Sequence, residues 1–148
     1  MNAADLATSF PTVALSTPAI EAARLLAGQD LPGLIVVDEQ GRPVTVLPGT
    51  QVLRMAIPAY CLDDPTLARV VDEAAADVFL RGLGARTVAD CLPKRRTELP
   101  VVPAEATVLE IAALMARARS PLVAVVDRAR RMLGAVTLDA LLDRLVTR

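Results

Sequence analysis

The sequence contains no histidine and no tryptophan, one tyrosine, two phenylalanines and a single lysine, Lys94. Lack of histidine removes the commonest general base and the commonest transition-metal ligand. It also excludes Ser–His–Asp and Cys–His nucleophilic machinery. Two cysteines, Cys61 and Cys91, make a poor disulfide framework, and without histidine they cannot close a zinc site unless carboxylates join them. They read as reduced thiols buried as small apolar side chains. No apolar run reaches the ~18 residues of a transmembrane helix. The opening "MNAADLATSF" has neither the basic nor the apolar region of a secretory signal. Formal net charge is −1 and no large basic block is present, so nothing points to nucleic acid or to an anionic membrane surface. These absences predict a cytoplasmic, non-catalytic chain with no metal, no catalytic cofactor, no nucleic-acid partner and no direct membrane insertion.

What is present is aliphatic. Apolar residues make up 53% of 148, and with so few aromatics the core must be built from Ala, Val and Leu. That length suits one domain, or two small halves sharing a core.

A repeat organises the chain. Shifted by 89 residues, "FPTVALSTPAIEAARLLAGQDLPGLIVVDEQGRPVTVLPGTQVL" falls without a gap on "LPVVPAEATVLEIAALMARARSPLVAVVDRARRMLGAVTLDALL". Pro11 meets Pro100, Glu21 meets Glu110, Pro32 meets Pro121, and Val36-Val37-Asp38 meets Val125-Val126-Asp127. Each copy parses alike. A short extended piece (Thr12–Leu15; Val101–Pro103) leads to a helix opened by capping residues (Ser16, Thr17; Glu105, Thr107) and carrying apolar residues at helical spacing. A continuous Val/Ile/Leu run then marks a strand covered on both faces. A turn, a second strand and a closing helix complete a β-α-β-β-α unit. The predicted division is 1–58 for the first copy, 59–85 for a helical linker and 86–148 for the second copy. Within the linker, Asp64-Pro65 opens a helix expected to run to about Arg81, with Leu67, Val70, Val71, Ala74, Val78 and Phe79 as one apolar stripe.

This tandem β-α-β-β-α arrangement resembles the CBS domain pair, or Bateman module, over nearly the whole chain. The stretches that carry the likeness are "SPLVAVVDRARRMLGAVTLDALL" and "LPGLIVVDEQGRPVTVLPGTQVL": strand, Asp, turn, hydrophobic pair, Gly-x-x-Thr, helix. The resemblance implies an α+β (α/β) fold in which two repeats pack as a pseudo-twofold pair, with two clefts between them. In that family the clefts commonly hold adenine nucleotides or S-adenosylmethionine. Members are usually regulatory sensors for an enzyme or transporter, and many dimerise.

The family's ribose pattern is Gly-x-x-Thr-x-x-Asp. Gly134 and Thr137 match it, but Ala140 stands at the Asp position and Asp139 one place earlier, a rotation of roughly 100° on a helix. Two readings stand: Thr137 and Asp139 grip a ribose, or they cap the closing helix. The first copy has Thr45, Pro48 and Gln51 at these places and no ribose carboxylate. By resemblance, cleft A joins Ala135, Thr137 and Asp139 to Pro11, Thr12, Asp30, Leu31 and Pro32. Cleft B joins Val46, Pro48 and Gln51 to Pro100, Val101, Arg119, Ser120 and Pro121. Acidic Asp30 would disfavour polyphosphates in cleft A and tolerate adenosine or cationic S-adenosylmethionine, whereas Arg119 would favour phosphate in cleft B.

Structural explanations accompany these assignments. Arg117 and Arg119 end a helix, where cations are favoured by the dipole; Lys94-Arg95-Arg96 reads as a solvated turn; Pro32 and Pro121 start strands. The expected function is a sensor of an adenosyl ligand (AMP, ADP, ATP or S-adenosylmethionine) that signals to a separate enzyme or transporter as a homodimer. The alternative is a dimerisation or docking module of the same fold that has lost its ligand.

Overall fold

A computed structural model describes residues 1–29, 31–70, 74–96 and 98–147. The first copy runs β1 (Thr12–Val13), α2 (Ala19–Gln29), β2 (Gly33–Val37), β3 (Pro43–Pro48) and α3 (Gly49–Ala56), preceded by a short α1 (Ala3–Leu6). The second runs β4 (Val101–Pro103), α7 (Val108–Ala118), β5 (Leu122–Val126), β6 (Met132–Thr137) and α8 (Leu138–Val146), preceded by a short α6 (Val88–Cys91). Each copy forms a three-stranded sheet, ordered β1-β2-β3 and β4-β5-β6. The expected α+β fold and its element order are therefore present. β1 pairs parallel with β2, Thr12 opposite Ile35, and β4 pairs parallel with β5, Val101 opposite Ala124. β5 and β6 are antiparallel, and the register slips between Val125 and Val126 because β6 carries one extra residue, Leu133. The central strands are continuous aliphatic runs because both faces are covered: Leu34, Ile35 and Val36, like Leu122, Val123 and Ala124, are fully buried.

The chain separates into two compact units that cut across the repeat. One comprises Met1–Ala14, Ile35–Val46 and Arg96–Arg148; the other comprises Leu15–Leu34 and Leu47–Arg95. In the first, Ala3, Val102, Ala106, Ile111, Met115, Val123, Val125, Val136 and Leu141 form one buried cluster. The second is helical, with α3 packed on α5 (Ala75–Leu83) and α2 against α3, α5 and α6.

The linker departs from the expected single helix. It holds α4 (Ala59–Asp63), a 3-10 turn (Pro65–Val70) and α5 (Ala75–Leu83); Val71, which the expected stripe included, lies outside the described residues. The Asp64 carboxylate accepts from the Thr66 N–H (3.2 Å) and hydroxyl (2.7 Å), capping the segment that starts at Pro65, but that segment winds as a 3-10 turn. Ala74, extended at ψ 137°, then caps α5 and breaks continuity. The apolar stripe is split accordingly. Val70 is 80% exposed, while Val78 and Phe79 in α5 are half-buried.

Candidate functional site

The second-copy turn that carries the ribose pattern has a local structural cause for each of its two matching residues. A Cβ placed on Gly134 would stand 2.8 Å from the Thr8 carbonyl oxygen, so only glycine admits the N-terminal segment against β6. Thr137 is the N-cap of α8, and its Oγ1 accepts from the Ala140 N–H at 3.1 Å, which is the capping reading. Asp139, exposed in the first turn of α8, favours the positive end of the helix dipole. Ala135 is fully buried, and its amide and carbonyl are both bonded to Thr8. Its main chain is therefore committed to the fold.

Around this turn, Thr12 and Gly134 line one cavity of about 300 Å3, together with Ser9, Phe10, Val37, Gly41, Met132 and Leu133. Thr12, from the first copy, is thus brought to the pattern glycine of the second. Pro11 lies half-buried just before it. Leu31 and Pro32 belong to the helical unit. Pro32 is exposed, and its carbonyl accepts the Gly49 N–H at 3.2 Å. Asp30, on which the charge argument for cleft A depends, lies outside the described residues.

For cleft B, Pro48 and Gln51 belong to the helical unit, and Val46, Pro100, Val101, Arg119, Ser120 and Pro121 to the other. Pro48 is the extended residue before α3 and makes no side-chain cap bond; Gln51 is half-buried in the first turn of that helix. Val46 is buried in β3, and the Pro100 carbonyl accepts from the Ala124 N–H at 3.0 Å. Arg119 ends α7 in the left-handed conformation (φ 53°) and is exposed. Ser120 is buried, donating to the Leu122 carbonyl at 2.7 Å and accepting its N–H at 3.2 Å, a turn role rather than a free hydroxyl. The Pro121 carbonyl accepts the Leu138 N–H at 2.9 Å. Arg119, Ser120 and Pro121 also line a largely apolar groove of about 400 Å3 between α7 and α8.

Residues that the 89-residue shift misses lie before each copy. Asn2 and Asp5 form a capping box on α1, and Thr87 and Asp90 form one on α6. Each short helix docks on the other copy: Ala3 and Ala4 donate N–H groups to Ala106 and Ala104, while Val88 and Ala89 donate to Thr17 and Leu15. The acceptors correspond under the 89-residue shift. The helices correspond under a shift of 85, Ala3 with Val88, so a gap-free comparison passes over them. Cys61 and Cys91 are both buried and free, as expected of small apolar residues. Among the described residues no cluster of His, Cys, Asp or Glu could hold a metal ion, and no helix is long and apolar enough to cross a membrane.

The two sheets, the duplicated turns and the crossed docking helices define a tandem-repeat α+β module. The CBS domain family model matches residues 3–54 and 88–147, and the chain belongs to the CBS domain family. It is similar to a CBS domain-containing protein of unknown function from Kribbella flavida DSM 17836, with 50% identity over 99% of both chains and a TM-score of 0.92. More distant structures share the fold. One is CBSX2 in complex with AMP, at 20% identity, TM-score 0.67 and coverage of 98% of this chain and 96% of that one. Another is the cytosolic domain of the Mg2+ channel MgtE in complex with ATP, at 23% identity, TM-score 0.65 and coverage of 97% and 48%. Comparison with curated proteins finds no match.

Proposed function

We propose that this CBS pair is a non-catalytic regulatory module that senses an adenosyl ligand and signals to a separate partner protein, an enzyme or transporter, acting in the cytoplasm as a homodimer. The observation that carries the reading is the cavity in which Thr12 of the first copy meets Gly134 of the second. It supports the family pattern in which one copy's pre-strand segment faces the other's ribose turn. The AMP and ATP bound by CBSX2 and MgtE make adenine nucleotides the first candidates, with S-adenosylmethionine beside them. Ligand binding shifts the population of conformations that the partner reads.

The test is thermal stabilisation against AMP, ADP, ATP, S-adenosylmethionine, adenosine and NAD, in the wild type and in Thr137→Ala/Asp139→Ala. A ligand at about a hundred times its Kd adds about 2.7 kcal/mol to the native state. The expected result is a shift of several degrees with one ligand, lost in the double variant. No shift with any of them at millimolar concentration overturns sensing and leaves the ligand-free docking module. The structural duties of Gly134 and Thr137 are what favour that second reading.

A further inference from the structure

The helical unit contains a cleft of about 940 Å3 that nucleotide sensing leaves unused. It is bordered by the end of α3, by α4, by α5 and by the turn at 84–86. Gly82 makes it possible. A Cβ at this position would lie 2.7 Å from Ala56 Cα and nearer still to the Ala56 carbonyl, so α5 rests directly on the main chain at the end of α3. That close crossing sets Arg54, in the last turn of α3, and Arg81, in the last turn of α5, on the same cleft. Arg86 joins them from the following turn, its Nε donating to the Gly82 carbonyl at 3.1 Å.

Among the described residues the lining therefore carries three guanidinium groups and one carboxylate, Asp90. That carboxylate is engaged in the α6 capping box, accepting from the Thr87 N–H at 2.9 Å and from its hydroxyl at 3.2 Å. The remaining walls are apolar, with Met55, Ile57, Leu62 and Val78 beside Tyr60, the chain's sole tyrosine, which is 52% exposed. Volume and lining fall within the range of small-molecule sites, roughly 300–1,000 Å3. Guanidinium groups match carboxylate, sulfonate and phosphate geometry, and an exposed ring beside aliphatic side chains suits an apolar or aromatic body.

We propose that this cleft is a second ligand site, separate from the nucleotide cavity, for an amphipathic organic anion. Its apolar body lies against Tyr60, Met55 and Ile57, and its oxyanion is held by Arg54 and Arg86. The site belongs to the segment that joins the copies and adjoins α6, the helix that docks on Leu15 and Thr17.

The probe is 1-anilinonaphthalene-8-sulfonate, an aromatic body with one sulfonate, titrated by fluorescence into the full chain. The expected result is one saturable equivalent whose affinity falls roughly tenfold or more in Arg54→Gln/Arg86→Gln. Tyr60→Ala weakens it severalfold. Leu142→Ser, in the groove between α7 and α8, leaves it unchanged, as does saturating AMP. Unchanged affinity in the arginine double variant, with circular dichroism and thermal midpoint intact, overturns the proposal. So does displacement by AMP, which assigns the probe to the nucleotide cavity, and so does the lack of saturable binding. Should the double variant fail to fold, Arg54→Gln alone decides, since Arg54 is exposed in a last turn and its loss leaves the Gly82 crossing intact.

Discussion

The main-chain N–H and C=O of Thr8 are both bonded to those of Ala135, each at 3.0 Å. This exchange adds the N-terminal segment to the edge of β6 and places it over Gly134, where a Cβ would meet the Thr8 carbonyl oxygen at 2.8 Å. Gly134 in the Gly-x-x-Thr stretch thus answers a packing demand, whatever ligand the cavity holds.

Gly134→Ala is expected to drive this segment from β6 at a cost of about 2 kcal/mol, from two lost hydrogen bonds and the displaced main chain. Hydrogen exchange checks it: the amides of Thr8 and Ala135 lose protection while those of β5 keep theirs. Retained protection at Thr8 shows that the strand edge relaxes without separating.

Asp38 and Asp127 hold equivalent turns. The Asp38 carboxylate accepts from the Gln40 and Arg42 amides, and the Asp127 carboxylate from those of Ala129 and Arg131, every distance being 2.9 Å. Replacing either by Ala should lower the urea midpoint, each loss costing about 1–2 kcal/mol with an unchanged m-value. Asn at either place, keeping one acceptor oxygen, should cost less.

Both turns place one residue in the left-handed region. Gly41 has φ 78°, and its counterpart under the repeat shift, Arg130, has φ 68°. A left-handed residue with a Cβ costs about 1–2 kcal/mol, offset in part by the greater unfolded-state freedom of glycine, about 0.5–1 kcal/mol. Arg130→Gly is therefore expected to stabilise by up to about 1 kcal/mol, and Gly41→Ala to destabilise by a similar amount. Chemical denaturation of the two variants decides; the same sign for both refutes the backbone argument.

Burial raises the pKa of the Cys91 thiol above 9.0, an effect opposed by Arg86 and reinforced by Asp90. Because the native state holds this proton more tightly than the unfolded chain, the associated stability is complete below about pH 9 and is lost as pH rises beyond it. The denaturation midpoint should therefore fall as pH rises above about 9, and Cys91→Ala should flatten that part of the fall. Thiol reagents should modify Cys91 only at the rate of opening.

Much of the fold was legible because the copies repeat local chemistry. Continuous aliphatic runs and Asp-led turns recur 89 residues apart, and each acts over a few neighbouring residues. The linker was less legible. Its apolar spacing fits one helix, but its first part winds as a 3-10 turn and the extended Ala74 interrupts it. The capping boxes Asn2–Asp5 and Thr87–Asp90 were a readable signal for α1 and α6, hidden by the different spacing of these helices from their copies.

The amino-acid sequence by itself determined the duplicated β-α-β-β-α units, their buried strands and the CBS family, since these follow from periodicity and short-range hydrogen bonding. Tertiary structure alone decided that each short helix docks on the opposite copy, that Gly134 serves Thr8, and that Gly82 lets α5 rest on Ala56 so that Arg54, Arg81 and Arg86 share a cleft. These relations join residues far apart in the chain, and they depend on how closely two backbones approach. No local pattern encodes that distance.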